Sequence, residues 1–259
     1  MITKQQLQKD LEALGIRSDE TVAVHTSLKE VGMVEGGAET FLEALYEYLY
    51  DGLLVIPTHT WKTVNQENPW YDVRSSEACI GWVPRTAAFH PKAVRSMHAT
   101  HSVAVFGKRA GEYAAYDRAS VTPTPPQGCF GRLYDEKAKI LLVGVGQERN
   151  TFIHVSEEIL DVPQRLSAPF EVTLVDYEGH QEKRTIQKHE NPICPHISEN
   201  FVKFDPYLAR CGAVTEGKLG NAVVKVCDAA NVPVTAKIRV GIDHEHETFL
   251  EAGHIAQEE

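Results

Sequence analysis

Two stretches, "LLVIP" at 53–57 and "KILLVGV" at 139–145, are apolar almost without a break and shorter than an ordinary buried helix. A strand reads this way when both of its faces are covered, as in the parallel centre of a sheet with helices packed on each side. The neighbouring sequence fits that plan. "TVAVHTS" (21–27) is rich in β-formers, and "GGAETFLEALYEYLYDG" (36–52) sets Phe41, Leu42, Leu45 and Leu49 at helical spacing before the first apolar run. Strand, helix, strand is a βαβ unit.

Other segments extend the pattern. Thr3 can cap a first helix whose inner face is Leu7, Leu11 and Leu14, with Gly15 as its stop. The stretch 61–93 carries Trp61, Trp70 and Trp82, is broken by prolines, and reads as an excursion outside the sheet. "HSVAVFG" (101–107) resumes the strand pattern, and "PTPPQGCFGRL" reads as a Pro/Gly loop. "FEVTLVDYEGHQEKRTIQ" (170–187) alternates about a Glu-Gly turn as a β-hairpin does. "GKLGNAVVKVCDAANVP" reads as an amphipathic helix with Val223, Val226, Cys227 and Ala230 inward, "AKIRVGI" as a late strand, and "HIAQEE" as a disordered tail. The expected class is α/β: one mixed α/β domain over 1–259, with a central, largely parallel sheet flanked by helices and a C-terminal hairpin-bearing portion.

Composition narrows the function. A formal net charge of −10 argues against a nucleic-acid binder, which needs a basic surface, and suits a cationic partner. The five cysteines form no CxxC pair, so neither a zinc knuckle nor a disulfide framework is expected. "MITKQQLQKDLEALG" lacks the apolar core of a signal peptide, and no run approaches the roughly 18 apolar residues of a membrane span. The expected location is cytoplasmic, with no membrane partner.

Three constellations could carry chemistry. In "NTFIHVSEE" (150–158), a helix starting near Asn150 or Thr151 puts Thr151, His154 and Glu157 or Glu158 on one face. That helix follows the second apolar strand, at the carboxyl end where open α/β sheets bind ligands. H-x-x-E-E lacks the second histidine of zinc-protease motifs, so no metal is expected. A histidine general base, with a carboxylate fixing its tautomer, is the functional reading; a capped helix with solvated glutamates is the bland one. In "VHTSLKEVG" (24–32), His25, Thr26 and Ser27 at a strand end could hold phosphate or the amide-rich arm of a cofactor. In "RSMHATHS" (95–102), Arg95, His98 and His101 could meet a phosphate. Cys129, in "QGCFGR", is a candidate acyl-carrying nucleophile for a ping-pong route, or a small packed residue. "GVGQER" ends in Arg149 where a dinucleotide fingerprint needs glycine, and there is no P-loop or G-x-S-x-G elbow.

Four blocks in order, "VHTSLKEVGMVEGGAETFLEAL", "GLLVIPTHTW", "VRSMHATHSVAVFGKRA" and "LLVGVGQERNTFIHVSEEILDVPQR", resemble the aminoglycoside 3-N-acetyltransferase family, which is distinct from the GNAT acetyltransferases. The resemblance is dense from about residue 5 to 165 and looser beyond. It implies direct acetyl transfer from acetyl-CoA to the 3-amino group of the 2-deoxystreptamine ring of an aminoglycoside. His154 maps onto the family's base, with Thr151 and Glu157 beside it and Glu190 as an orienting acid. His25, Thr26, Ser27 and Leu28 map onto the turn where the pantetheine and pyrophosphate of the cofactor are expected. Arg95, His98, Thr100, His101 and Ser102 map onto a second cofactor segment, with Ala99 in place of the family's proline. Asp72, Glu157 and Glu158 are candidates for an acidic cleft facing a polycation. An acyltransferase of the same fold acting on another amine, or a non-catalytic binder of cationic drugs, stands beside this reading.

Overall fold

The computed structural model describes residues 1–190 and 196–230. The chain runs α1 (Lys4–Ala13), β1 (Thr21–Thr26), α2 (Leu28–Val31), α3 (Gly37–Tyr48), β2 (Leu53–Pro57), β3 (Trp70–Asp72), α4 (Trp82–Ala88), β4 (Val94–Arg95) and β5 (Val103–Phe106). It continues through α5 (Ala110–Ala114), α6 (Cys129–Asp135), β6 (Lys139–Val143), α7 (Ile153–Ile159), β7 (Phe170–Val175), β8 (Gln181–Ile186), α8 (Asp205–Arg210), β9 (Val214–Leu219) and β10 (Ala222–Asp228). Short 3₁₀ turns at Gln147–Arg149 and Ile197–Phe204 matter below.

Seven strands form one mixed sheet in the order β4-β5-β2-β1-β6-β10-β9. The two apolar runs, β2 and β6, flank β1 and are both parallel to it, with Ala23 opposite Val55 and Ile140. The outer pairings are antiparallel. Because strand side chains alternate, β1 feeds two cores. Val22 and Val24 pack on one face with Phe41, Leu42 and Leu45 of α3 and Leu7 and Leu11 of α1. Ala23 faces the other side, with Leu142, Phe130, Phe152 and Phe201. His25, two residues after Ala23, therefore projects on that second side, where α7 lies.

The first helix is capped as expected, Thr3 Oγ1 accepting from the Gln6 amide at 3.2 Å, and Gly15 leaves it with φ +76°. The hairpin over 170–187 forms as β7 and β8, joined by β3 into a second, three-stranded sheet. The excursion at 61–93 thus contributes β3 as well as α4.

Two expectations are corrected. "GKLGNAVVKVCDAANVP" forms β10 and the end of β9, turning at Gly220-Asn221 with Gly220 at φ +59°. Ala222, Val224 and Val226 point inward while Val223 is 55% exposed, so the period is two. A short apolar run fits both periods, and the Gly-Asn turn decides between them. "PTPPQGCFGRL" is only partly loop, since α6 starts at Cys129. A Cβ on Gly131 would lie 2.1 Å from the Pro126 carbonyl oxygen, so the glycine lets the loop close onto the helix. The expected strand "AKIRVGI" and the tail "HIAQEE" lie outside the described residues. Among the described residues, no helix is long and apolar enough to cross a membrane.

Candidate active site

The carboxyl edge of β1, β2 and β6 gathers the chemistry. β1 is the switch point of the sheet, because one parallel neighbour lies on each side of it, and ligands of open α/β sheets bind at that edge. β5 runs antiparallel to β2, so the loop entering β5 arrives at the same edge. His25, His59, His98, His101 and His154 come together here, and His189 joins them from beyond β8.

His154 sits in the first turn of α7. Before it, Asn150 Oδ1 accepts from the Phe152 amide at 3.2 Å, while the Asn150 side-chain amide donates to Gln147 at 2.8 Å. The α-helix proper starts at Ile153, two or three residues later than the sequence suggests, because the amides of Ile153, His154 and Val155 bond carbonyls three residues back rather than four. Thr151 is buried before that helix, and its carbonyl accepts from the His154 amide at 3.1 Å. Nδ1 of His154 lies 2.5 Å from Oε2 of Glu157, which is 5% exposed. A carboxylate oxygen accepts, so in the neutral form of the ring this contact favours the tautomer with the proton on Nδ1 and the lone pair on Nε2. The ring is stacked on His189, centroids 4.0 Å apart, and meets Phe201 edge-on at 4.8 Å.

Of the two candidate glutamates, only Glu157 reaches the ring. Glu158 turns the other way, bonding Thr122, the Thr124 amide at 3.2 Å and Arg165 at 3.3 Å. The expected orienting acid, Glu190, is exposed and lies 3.8 Å from Lys188. The side chain from that segment that contacts His154 is His189. Asp72 is tied to Arg74 at 2.8 Å, and hydrogen bonding to that guanidinium lowers its pKa.

The segments expected to hold cofactor are more deeply built in than their sequence implies. Arg95, 1% exposed, spends its guanidinium on Thr58 Oγ1 and Ser102 Oγ at 3.2 Å, the Ser76 carbonyl at 2.5 Å and the Thr58 carbonyl at 3.1 Å. It ties together the residue after β2, the residue before β5 and the loop after β3. His98 is likewise committed, donating through Nε2 to the Thr122 carbonyl at 2.8 Å and accepting at Nδ1 from the amides of Thr100 and His101. Thr100 Oγ1 lies 2.9 Å from His101 Nδ1, and Ser102 Oγ donates to the Thr58 carbonyl at 2.9 Å. At the other turn, the Ser27 amide is held in the sheet by the Val143 carbonyl at 2.9 Å, and Leu28 packs on the first core. Thr26 Oγ1 is buried with no partner.

Electrostatically, burial holds four of these imidazoles in their uncharged form at neutral pH. Burial lowers the pKa of His25 to about 4. Burial first, and neighbouring imidazoles second, hold His59, His101 and His189 well below the ordinary histidine value. The Cys129 thiol, fully buried beside Tyr113, is pushed well above the usual thiol range by burial and then by Asp117. Little of the reactive thiolate form is therefore present at neutral pH.

His59 and His189 are the site residues the sequence did not reveal. His59 lies in "GLLVIPTHTW" and His189 beside Glu190, but nothing local marks them, since their contacts are with residues far along the chain.

Comparison with known proteins identifies the family. Residues 23–238 match the family model for aminoglycoside 3-N-acetyltransferase. Aminoglycoside N(3)-acetyltransferase VII of Streptomyces paromomycinus is 32% identical over 195 residues, covering 68% of this chain and 65% of that protein. The match thus spans slightly less than two thirds of that relative. Among solved structures, AAC-IIIb in a binary complex with CoASH superposes with a TM-score of 0.76 at 21% identity, over 88% of this chain and 92% of that one. A histidine-to-alanine mutant of aminoglycoside acetyltransferase AAC(3)-IVa, in complex with a gentamicin, has a TM-score of 0.74 at 25% identity, over 89% of this chain and 85% of that one. With the family model spanning most of the sequence and the same fold in these structures, the chain belongs to the aminoglycoside 3-N-acetyltransferase family.

Proposed function

We propose that the protein transfers the acetyl group of acetyl-CoA directly to the 3-amino group of the 2-deoxystreptamine ring of an aminoglycoside, with His154 as general base. The observation that carries this reading is the His154–Glu157 pair at 2.5 Å on the helix at the switch-point edge. Family membership, the CoASH bound to AAC-IIIb and the gentamicin bound to AAC(3)-IVa support the choice of acetyl donor and acceptor.

The chemistry follows from the tautomer. An acceptor amine is mostly protonated at neutral pH and attacks only from its neutral form. As its nitrogen bonds to the thioester carbonyl carbon, Nε2 of His154 takes the N–H proton. Glu157, facing the opposite ring nitrogen, stabilises the imidazolium that results. Breaking the C–S bond restores the carbonyl and releases the CoA thiolate, to which His154 returns the proton. The products are the amide and CoASH, and no acyl-enzyme is formed. The buried Cys129 thiol is consistent with that directness.

The test is mass spectrometry of an aminoglycoside panel incubated with acetyl-CoA and either wild type or His154→Ala, combined with initial-rate kinetics. Mono-acetylated product, a loss of about 10²–10⁴-fold in the variant and intersecting double-reciprocal lines are expected. Undiminished turnover by His154→Ala would overturn the mechanism, and parallel lines would overturn direct transfer.

A further inference from the structure

Polar atoms buried without a partner are uncommon in folded proteins, and each calls for an explanation, a bound ligand among them. Among the described residues, Thr26 Oγ1, His59 Nε2 and His189 Nε2 are such atoms, and all three belong to the edge that holds His154. They come from three separate segments of the chain.

His59 is the most firmly fixed of the three. The Thr58 amide donates to the Ser102 carbonyl at 2.7 Å and the Thr60 amide to the Thr100 carbonyl at 3.0 Å, so His59 is clamped opposite His101. Its own carbonyl accepts from the Cys79 amide at 2.7 Å. The ring, 7% exposed, is wedged between His101 at 4.6 Å and Phe130 at 5.7 Å. His25 from β1, His98 and His101 from the loop before β5, and His154 from α7 act on it, and the Glu157 carboxylate is engaged with His154. Burial and these neighbours keep the ring uncharged, and an uncharged imidazole carries one N–H to donate. A buried ring nitrogen left unpaired costs stability in the free protein, and an oxygen brought to it by a ligand would satisfy it.

We propose that His59 donates its ring N–H to the acyl carbonyl oxygen of the thioester and is the oxyanion donor of the transfer. This rests on the acetyl-transfer reading above. As the amine nitrogen bonds to the carbonyl carbon, the carbonyl π pair moves onto oxygen, where the His59 N–H holds it, and the amine proton goes to His154. When the C–S bond breaks, that pair returns to form the amide carbonyl, the thiolate recovers the proton from His154, and His59 ends with the proton it began with.

The experiment is ¹³C NMR of [1-¹³C]acetyl-CoA bound to wild type, His59→Phe and His59→Gln, with kcat, KM and Tm for each. The carbonyl resonance of the wild-type complex is expected downfield of free ligand, and that of His59→Phe to return towards free ligand. His59→Gln, whose amide can donate, should lie between them. The kcat of His59→Phe should fall about 10²-fold or more, with less loss in His59→Gln and little change in KM for acetyl-CoA. A wild-type resonance and wild-type kcat in His59→Phe would overturn the proposal and leave His59 a packing residue. If His59→Phe does not fold, a folded His59→Gln with the free-ligand resonance and undiminished kcat would overturn it instead. Wild type that binds no acetyl-CoA would overturn this inference and the acetyl-transfer reading together. A downfield carbonyl that disappears in His59→Phe, with no aminoglycoside acetylated, would support His59 and overturn only the acceptor.

Discussion

Nδ1 of His154 and Oε2 of Glu157 lie 2.5 Å apart within a single turn of α7, so one short helix fixes both the base and the group that sets its tautomer. Because Glu157 is 5% exposed, water does not substitute for it. Glu157→Gln keeps the shape but allows the amide to donate to Nδ1, stabilising the wrong tautomer. A fall in kcat of about 10²-fold or more is expected, by analogy with the asparagine substitution in the Ser-His-Asp triad. Acetyl-CoA affinity, measured by calorimetry, should be unchanged, and an equal loss of kcat in Glu158→Gln would sink the assignment.

The uncharged histidines make stability depend on pH in a predictable window. A group whose folded pKa is depressed binds fewer protons when folded than unfolded, so its contribution is present above the unfolded value and is lost as pH falls. For His25 the loss starts near the ordinary value of 6.5 and is complete below its folded value of about 4. A tenfold change in proton affinity is worth about 1.4 kcal/mol, so His25 alone accounts for a loss of about 3 kcal/mol. His59, His101 and His189 act in the same direction. The carboxylate of Asp72, lowered from 3.8, contributes its loss only at more acid pH. Calorimetry between about pH 7.5 and 4.5 should show Tm falling steadily from about 6.5 downward; a flat Tm over that range would contradict buried neutral imidazoles.

Arg95 gives a third prediction, one about architecture. With 1% exposure and every observed bond directed inward, its removal unfastens β2 from β5 and from the loop after β3. Arg95→Met should destabilise by at least about 2 kcal/mol in urea unfolding, as expected for lost hydrogen bonds from a charged donor. The folded fraction should bind acetyl-CoA within a few-fold of wild type. A tenfold or larger affinity loss at unchanged stability would instead assign Arg95 as a phosphate ligand.

Local pattern carried the centre of the fold and one half of the site. β1, β2 and β6 are legible because a strand covered on both faces must be apolar along its length, and α3 because Phe41, Leu42 and Leu45 repeat at helical spacing. His154 and Glu157 are legible because residues three apart on a helix are neighbours. The β9–β10 hairpin was hidden by "VVKVC", whose apolar positions satisfy both periods over so short a run. His59 faces His101, and His189 stacks on His154, across separations that no local pattern encodes. Arg95 shows the same limit from the other side: its residue type suggests a phosphate, and only the fold reveals a buried guanidinium bonded to Thr58, Ser76 and Ser102.

Cys129 separates the two possible routes of acetyl transfer. A ping-pong enzyme needs a thiolate that the thioester can reach, whereas Cys129 has no exposure, donates to the Tyr113 carbonyl at 3.3 Å and opens α6 beneath the second core. Its pKa is raised by burial and by Asp117, so thiolate is scarce at neutral pH. Replacing it with alanine removes one buried sulfur, which should cost on the order of 1 kcal/mol of stability. Cys129→Ala should therefore lower Tm slightly while keeping kcat for acetyl transfer within about twofold, since no step of direct transfer uses the thiol. Loss of turnover in a folded Cys129→Ala protein, together with an acetylated wild-type peptide containing Cys129, would establish the covalent route in its place.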